Sequence, residues 1–273
     1  MAVTKPLARV QGSPLCLGPR LRVNALAGFV PGFLPATPDL KHRLTSADNA
    51  LIARLDDNDR TRFLDLCERA MLIPTTCLFQ PGEPINHVYF PNKGFVCVLM
   101  HEPDTPELII SMVGREGMLD PRAVLGIART QIQAHVQSEG WAWRIPTTVF
   151  QQQLATNVAL KRLMDRYVAV MLNQSARLAV CLRFHDVSAR LARWLLMSQD
   201  RIGSNHCQVT HEALGIMLGV RRESITTAAN VLQQRGAISY HRGDIHVLDR
   251  TMLEKITCDC YRADCEIYKA LLN

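Results

Sequence analysis

No run of the 273-residue sequence is long and apolar enough to cross a bilayer. The closest approach, between Asn24 and Ala36, is interrupted by Pro31 and Pro35, so neither a membrane partner nor a signal segment is expected, and a cytoplasmic location is. A complete disulfide framework is excluded too, because nine cysteines cannot all pair. Several, such as Cys97 and Cys181, lie among apolar neighbours where a thiol behaves as a small hydrophobe, which suits a reducing compartment. No cysteine stands with a histidine in a pattern that announces a thiol enzyme, and no catalytic residue is assigned. Acidic side chains are absent from residues 1–38, which hold four basic ones and many prolines and glycines; residues 1–44 are expected to be a flexible arm.

What remains is long enough for two cores. Residues 39–146 carry 11 basic and 14 acidic side chains, whereas 147–273 carry 16 basic and 11 acidic, so the C-terminal part suits a polyanion. Helical spacing over 46–54 and 57–70 gives way to short β segments over 77–79, 87–90, 95–99, 107–112, 131–136 and 141–145. That rhythm predicts a β-roll or jelly roll, bounded at 45–157. A short helix from Thr147 and a long one over 158–184 follow. On the long helix Leu160, Met164, Tyr167, Met171, Gln174, Leu178 and Cys181 alternate at spacings of four and three, a heptad seam predicting a homodimer interface, with burial of the helix on its own domain as the alternative. The helix over 186–201 turns Val187, Leu191, Trp194 and Leu195 inward.

Residues 209–236 read as two short helices meeting at a sharp turn. Thr210 is placed to cap the first, Gly219 supplies the turn, and Val220, Ile225, Ala228, Ala229 and Leu232 form the buried face of the second. The other face carries Arg221, Arg222, Glu223, Ser224, Thr226 and Thr227. A helix-turn-helix needs this division, because the polar N-terminal half of its second helix must enter a DNA groove. Two strands around His241-Arg-Gly-Asp244 predict a wing within 185–250, with Arg242 at its tip. Thr210, Arg221, Arg222, Glu223, Ser224, Thr227 and Arg242 are the expected DNA-binding residues: Arg222 for a guanine, Glu223 for a cytosine, and Arg221, Ser224 and Thr210 for phosphates.

An α+β chain with a β-roll, a long helix and a C-terminal winged helix-turn-helix, in that order, resembles the Crp/Fnr family of bacterial transcription regulators. Gln80-Pro-Gly-Glu83, His87-Val-Tyr-Phe-Pro91, Val113-Gly-Arg-Glu-Gly117 and Val187-Ser-Ala-Arg-Leu-Ala-Arg-Trp-Leu195 are similar to the family's β-roll and post-roll motifs, and the likeness covers roughly residues 45–250. The resemblance implies double-stranded DNA, a second copy of the chain and RNA polymerase as partners, and a small-molecule effector whose identity these residues do not name. Members that bind cyclic AMP follow a glycine with a glutamate for the ribose; here Gly117 is followed by Met118, which cannot accept that hydrogen bond. Arg129 and Thr130 stand where the phosphate contacts fall and are the only effector-binding candidates. In that branch the reading helix carries a second arginine four residues after its glutamate; here the position is Thr227. The N-terminal cysteine cluster of iron–sulfur members is missing, since Cys16 stands alone there, and packing accounts for Cys77, His87 and Cys97 where haem members place ligands. In the tail over 251–273, read as one helix, Cys258, Cys260 and Cys265 lack the paired spacers of structural zinc sites. The three thiolates could hold zinc or iron with a fourth ligand such as His246, but on a helix Cys260 would point away from the other two; no metal and no cofactor are assigned. A β-roll acting on a protein partner, or a thiol or metal redox sensor, stays open as an alternative.

Overall fold

Two long bent strands carry the β-roll. The computed structural model describes residues 49–100 and 107–272; the arm at 1–44 lies outside them. Strand β3 (His87–Met100) pairs antiparallel with β5 (Gln133–Pro146) from His87 opposite Pro146 to Leu99 opposite Gln133. The sequence predicts four strands here, but the pairing continues through bulges between Pro91 and Val96. The backbones nearly touch at this bend: a Cβ on Gly140 would fall 1.7 Å from the Lys93 carbonyl oxygen, and Gly94 has φ +76°. Strands β1 (Glu68–Leu72) and β2 (Cys77–Phe79) pair with β5, and β4 (Leu108–Val113) pairs with β3. Helix α1 (Asp57–Asp65), capped by the Asp56 carboxylate, is shorter than the helix predicted over 57–70, because residues 68–72 pair with 140–144 instead. Of the helix predicted over 46–54, a single 3-10 turn, Ile52–Arg54, is formed among the described residues. Phe63, Phe90 and Phe150 pack edge to face in the core, with centroids 5.5 to 6.4 Å apart.

Helix α2 (Thr147–Thr156) leads into α3 (Val158–Phe184), whose first turn is capped by the Asn157 side chain accepting from Leu160 N at 2.8 Å. The heptad seam predicted for a partner turns instead onto its own subunit. Leu160, Met164 and Tyr167 are buried in the β-roll core, and Met171 packs against its edge. Gln174 and Leu178 line a cavity of about 70 Å³ with Ile109, Trp194 and Met217, and Cys181 is buried. An apolar stripe must be covered, and here other elements of the same chain cover most of it.

Helix α4 (Val187–Ile202), capped by Asp186, is followed by β6 (His206–Gln208), α5 (His211–Leu218), α6 (Arg222–Gln234), β7 (Ile238–His241) and β8 (Asp244–Val247). The wing sheet has three strands in the order β6-β8-β7, β6 being one that the sequence pattern does not show. Leu191, Trp194 and Leu195 are buried as expected, while Val187 is half-buried. Against Leu191, Leu195 and Leu214 stand Phe95, Cys97, Leu99, Ile109 and Met112 of the β-roll, in one apolar cluster. Arg201 ties the two parts by donating to the Met112 carbonyl at 3.0 Å and pairing with Glu116 at 2.7 Å.

The C-terminal segment is two helices, α7 (Arg250–Ile256) and α8 (Cys260–Leu272), and not one. Helix α8 returns along α3 towards the β-roll. Asp264 pairs with Arg193 and with Arg177 at 3.2 Å, Tyr268 donates to the Glu116 carbonyl, and Leu272 is buried with Leu51 and Ile52. No helix among the described residues is long and apolar enough to cross a membrane.

Candidate nucleic-acid interface

The helix-turn-helix is fixed by local chemistry. Thr210 Oγ1 accepts from Ala213 N at 3.1 Å, which caps α5 and leaves the hydroxyl proton free for a phosphate. Gly219, at φ +61°, ends α5 in the left-handed conformation. A Cβ on Gly215 would lie 2.9 Å from the Val220 carbonyl oxygen, so the crossing of the two helices requires the smallest residue there. Ile225, Ala228, Ala229 and Leu232 are buried, as their spacing predicts.

The opposite face of α6 is open. Arg221, Arg222, Glu223, Thr226 and Thr227 are exposed and Ser224 is half-buried. Thr227 Oγ1 donates back to the Glu223 carbonyl at 3.1 Å, which leaves its methyl as the group offered outward. Thr226 donates likewise to the Arg222 carbonyl at 3.2 Å, and His211 Nδ1 stands 3.0 Å from the same hydroxyl. The His211 ring stacks on Tyr240 with centroids 4.2 Å apart. Burial, and then the nearby Arg222 guanidinium, lower the His211 pKa, so the imidazole is neutral at pH 7. His211 and Tyr240 thus join the reading helix to the wing. Sequence reasoning missed them because His211 is not on the apolar face of its helix and Tyr240 lies on the wing, 29 residues further on.

At the wing tip Arg242 and Gly243 both have positive φ, +48° and +93°, the combination that fits a two-residue hairpin turn. Arginine is unfavourable there and asparagine is favoured. Arg242→Asn is therefore expected to hold or raise thermal stability while it lowers DNA affinity and reduces the salt slope by about one charge. Unchanged affinity across a salt series would remove Arg242 from the interface.

The two effector candidates are not brought together. Thr130 is fully buried, with its hydroxyl engaged by Arg122 and by the Ile132 backbone N–H, whereas Arg129 is exposed and donates to the Gly82 carbonyl at 2.6 Å. Met118 is fully buried, and its carbonyl accepts from Tyr167 Oη at 3.2 Å. Met118 is thus part of the β-roll core.

A β-roll packed against a winged helix with an exposed basic reading helix defines a DNA-binding regulator, and comparison with known proteins gives the same class. Residues 189–256 match the Crp-like helix-turn-helix domain and residues 72–157 the cyclic nucleotide-binding domain. The chain belongs to the Crp/Fnr family of transcription regulators. It is 28% identical over 215 residues to the CRP-like protein Clp of Xanthomonas campestris pv. campestris, a match covering 71% of this chain and 89% of that one. Among solved structures it is similar to the c-di-GMP-responsive global regulator CLP of Xanthomonas campestris, with a TM-score of 0.58 at 19% identity, over 71% of this chain and all of that one. FixK2 of Bradyrhizobium japonicum has a TM-score of 0.60 at 15% identity, over 70% of this chain and 98% of that one. At these identities the two structures bear on the fold alone.

Proposed function

We propose that the protein regulates transcription as a homodimer that reads a palindromic operator, with α6 in the major groove and the wing on the flanking phosphates. The observation that carries this reading is the open N-terminal face of α6, where Arg221, Arg222 and Glu223 are exposed beside the Arg242 wing tip. Arg222 addresses guanine O6 and N7, Glu223 a cytosine amino group, and Arg221, Ser224 and Thr210 the phosphates. RNA polymerase is the partner through which the bound dimer acts.

The dimer face is a second stripe of α3. Leu172 and Phe184, 67% and 72% exposed, share it with Val180 and with the small residues Ala176 and Ala179. Small residues let two helices approach closely, and this stripe is the part of α3 that its own chain leaves uncovered. Two α6 helices held in this way address half-sites about 34 Å apart.

Selection of bound sequences from a random DNA pool by the full chain tests this reading. A palindrome with half-sites one helical turn apart is expected; recovery of no sequence, at any salt concentration, would overturn it. Cyclic di-GMP, named for the Xanthomonas campestris relative, is the first ligand to add to the selection. Cyclic AMP and cyclic GMP are expected to show no heat of binding by calorimetry and no effect on DNA affinity, because Met118 and Thr130 are committed to the core. Micromolar binding of either would show that another group supplies the ribose acceptor.

A further inference from the structure

Four soft or borderline ligand atoms converge where the winged helix joins the rest of the chain. The thiols of Cys181, Cys258 and Cys260 and an imidazole nitrogen of His185 all lie within 4.8 Å of one another. Cys181 Sγ is 3.6 Å from Cys258 Sγ, and His185 Nδ1 is 3.5 Å from Cys260 Sγ. A tetrahedral zinc ion with bonds of about 2.3 Å to sulfur holds its thiolates about 3.8 Å apart. The observed separations match that edge. They are far beyond the roughly 2.05 Å of a disulfide, and all of these cysteines are free.

The placement comes from the fold. Cys181 and His185 stand one turn apart at the end of α3, so both project to the same side. Cys258 lies in the break between α7 and α8, outside helical geometry, and Cys260 opens α8. The break turns both sulfurs inward, where a continuous helix would separate them. Cys265 lies further along α8 and is not in the cluster.

We propose that Cys181, His185, Cys258 and Cys260 form a structural site for one Zn²⁺ ion. Three thiolates and one imidazole are a closed zinc ligand set, with no position left for a substrate. A two-iron cluster spreads its ligands over two metal atoms, wider than 4.8 Å allows. The surroundings suit thiolates. Arg193, buried beside Cys181, balances negative charge and is itself held by Asp264. Thiolate ligation releases the proton of each coordinating thiol to solvent, so binding strengthens as pH rises.

Titration of Co²⁺ into the full chain, purified metal-free under reductant, tests the site. The expected result is one ion per chain, with tetrahedral d–d bands and a thiolate-to-cobalt charge-transfer band, both lost when one equivalent of Zn²⁺ is added. Cys265→Ser should titrate as the unmodified protein does, and Cys258→Ser with Cys260→Ser should bind at least 100-fold more weakly. The proposal is overturned if the unmodified chain develops no charge-transfer band at saturating Co²⁺, a readout that needs no variant to fold. It is overturned equally if the double variant binds as well as the parent, or if Cys265→Ser abolishes the bands.

Discussion

Leu172→Glu combined with Val180→Glu is expected to convert the proposed dimer to a monomer and to lower affinity for a palindromic operator by about 100-fold or more. Both side chains are exposed on α3, so the change removes no core packing from the subunit. Two like charges facing their copies across a close helix pair oppose association. A monomer then loses the gain from presenting two reading helices at once, which for linked sites is on the order of 10² to 10⁴. Sedimentation gives the mass and a titration on single and paired half-sites gives the affinity. Single half-site binding should be unchanged. A double variant that still sediments at twice the chain mass would place the interface elsewhere. Met164→Glu, by contrast, puts a charge into the β-roll core and should unfold it.

Arg222→Ala should cost about 1–3 kcal/mol on the preferred operator and relax the preference at one base pair. Arg221→Ala should weaken binding to all sequences alike and flatten the salt dependence, as loss of a phosphate contact does. Thr227 provides an internal control. Its hydroxyl is turned back to the Glu223 carbonyl, so Thr227→Val should keep the half-site, whereas Thr227→Arg should shift that position towards G·C. Affinities on a panel of single-base operator variants decide among these outcomes. If Arg222→Ala leaves every base preference intact, α6 does not lie in the major groove as described.

The reading helix was legible in the sequence because its determinants are local. Thr210 caps α5, Gly215 and Gly219 permit the crossing, and the apolar set from Ile225 to Leu232 is buried in the order in which it is written. The β-roll was legible as a class, but its strand count was not, since the bulges after Pro91 keep β3 paired where the pattern suggests a loop. The seam on α3 was misassigned for a different reason. A heptad of Leu160, Met164 and Tyr167 specifies that something apolar covers the helix, not which chain provides it. Fewer than three heptads cannot separate the two cases. The cysteine cluster was invisible because its halves lie 77 residues apart, and because a break at Thr257 between two helices leaves no periodic signal.

The return of α8 along α3 gives the winged helix a second, non-covalent attachment. Its chain enters from the end of α3 and leaves by way of α8, which packs against that same helix and the β-roll. A domain joined at one end can swivel about a single point; one joined at both ends keeps fewer degrees of freedom, because its two connections must deform together. Reorientation of α6 towards DNA is then not a free rotation below α3. It is a concerted displacement that opens the apolar cluster shared with the β-roll and either peels α8 from its seat or carries the β-roll edge with it.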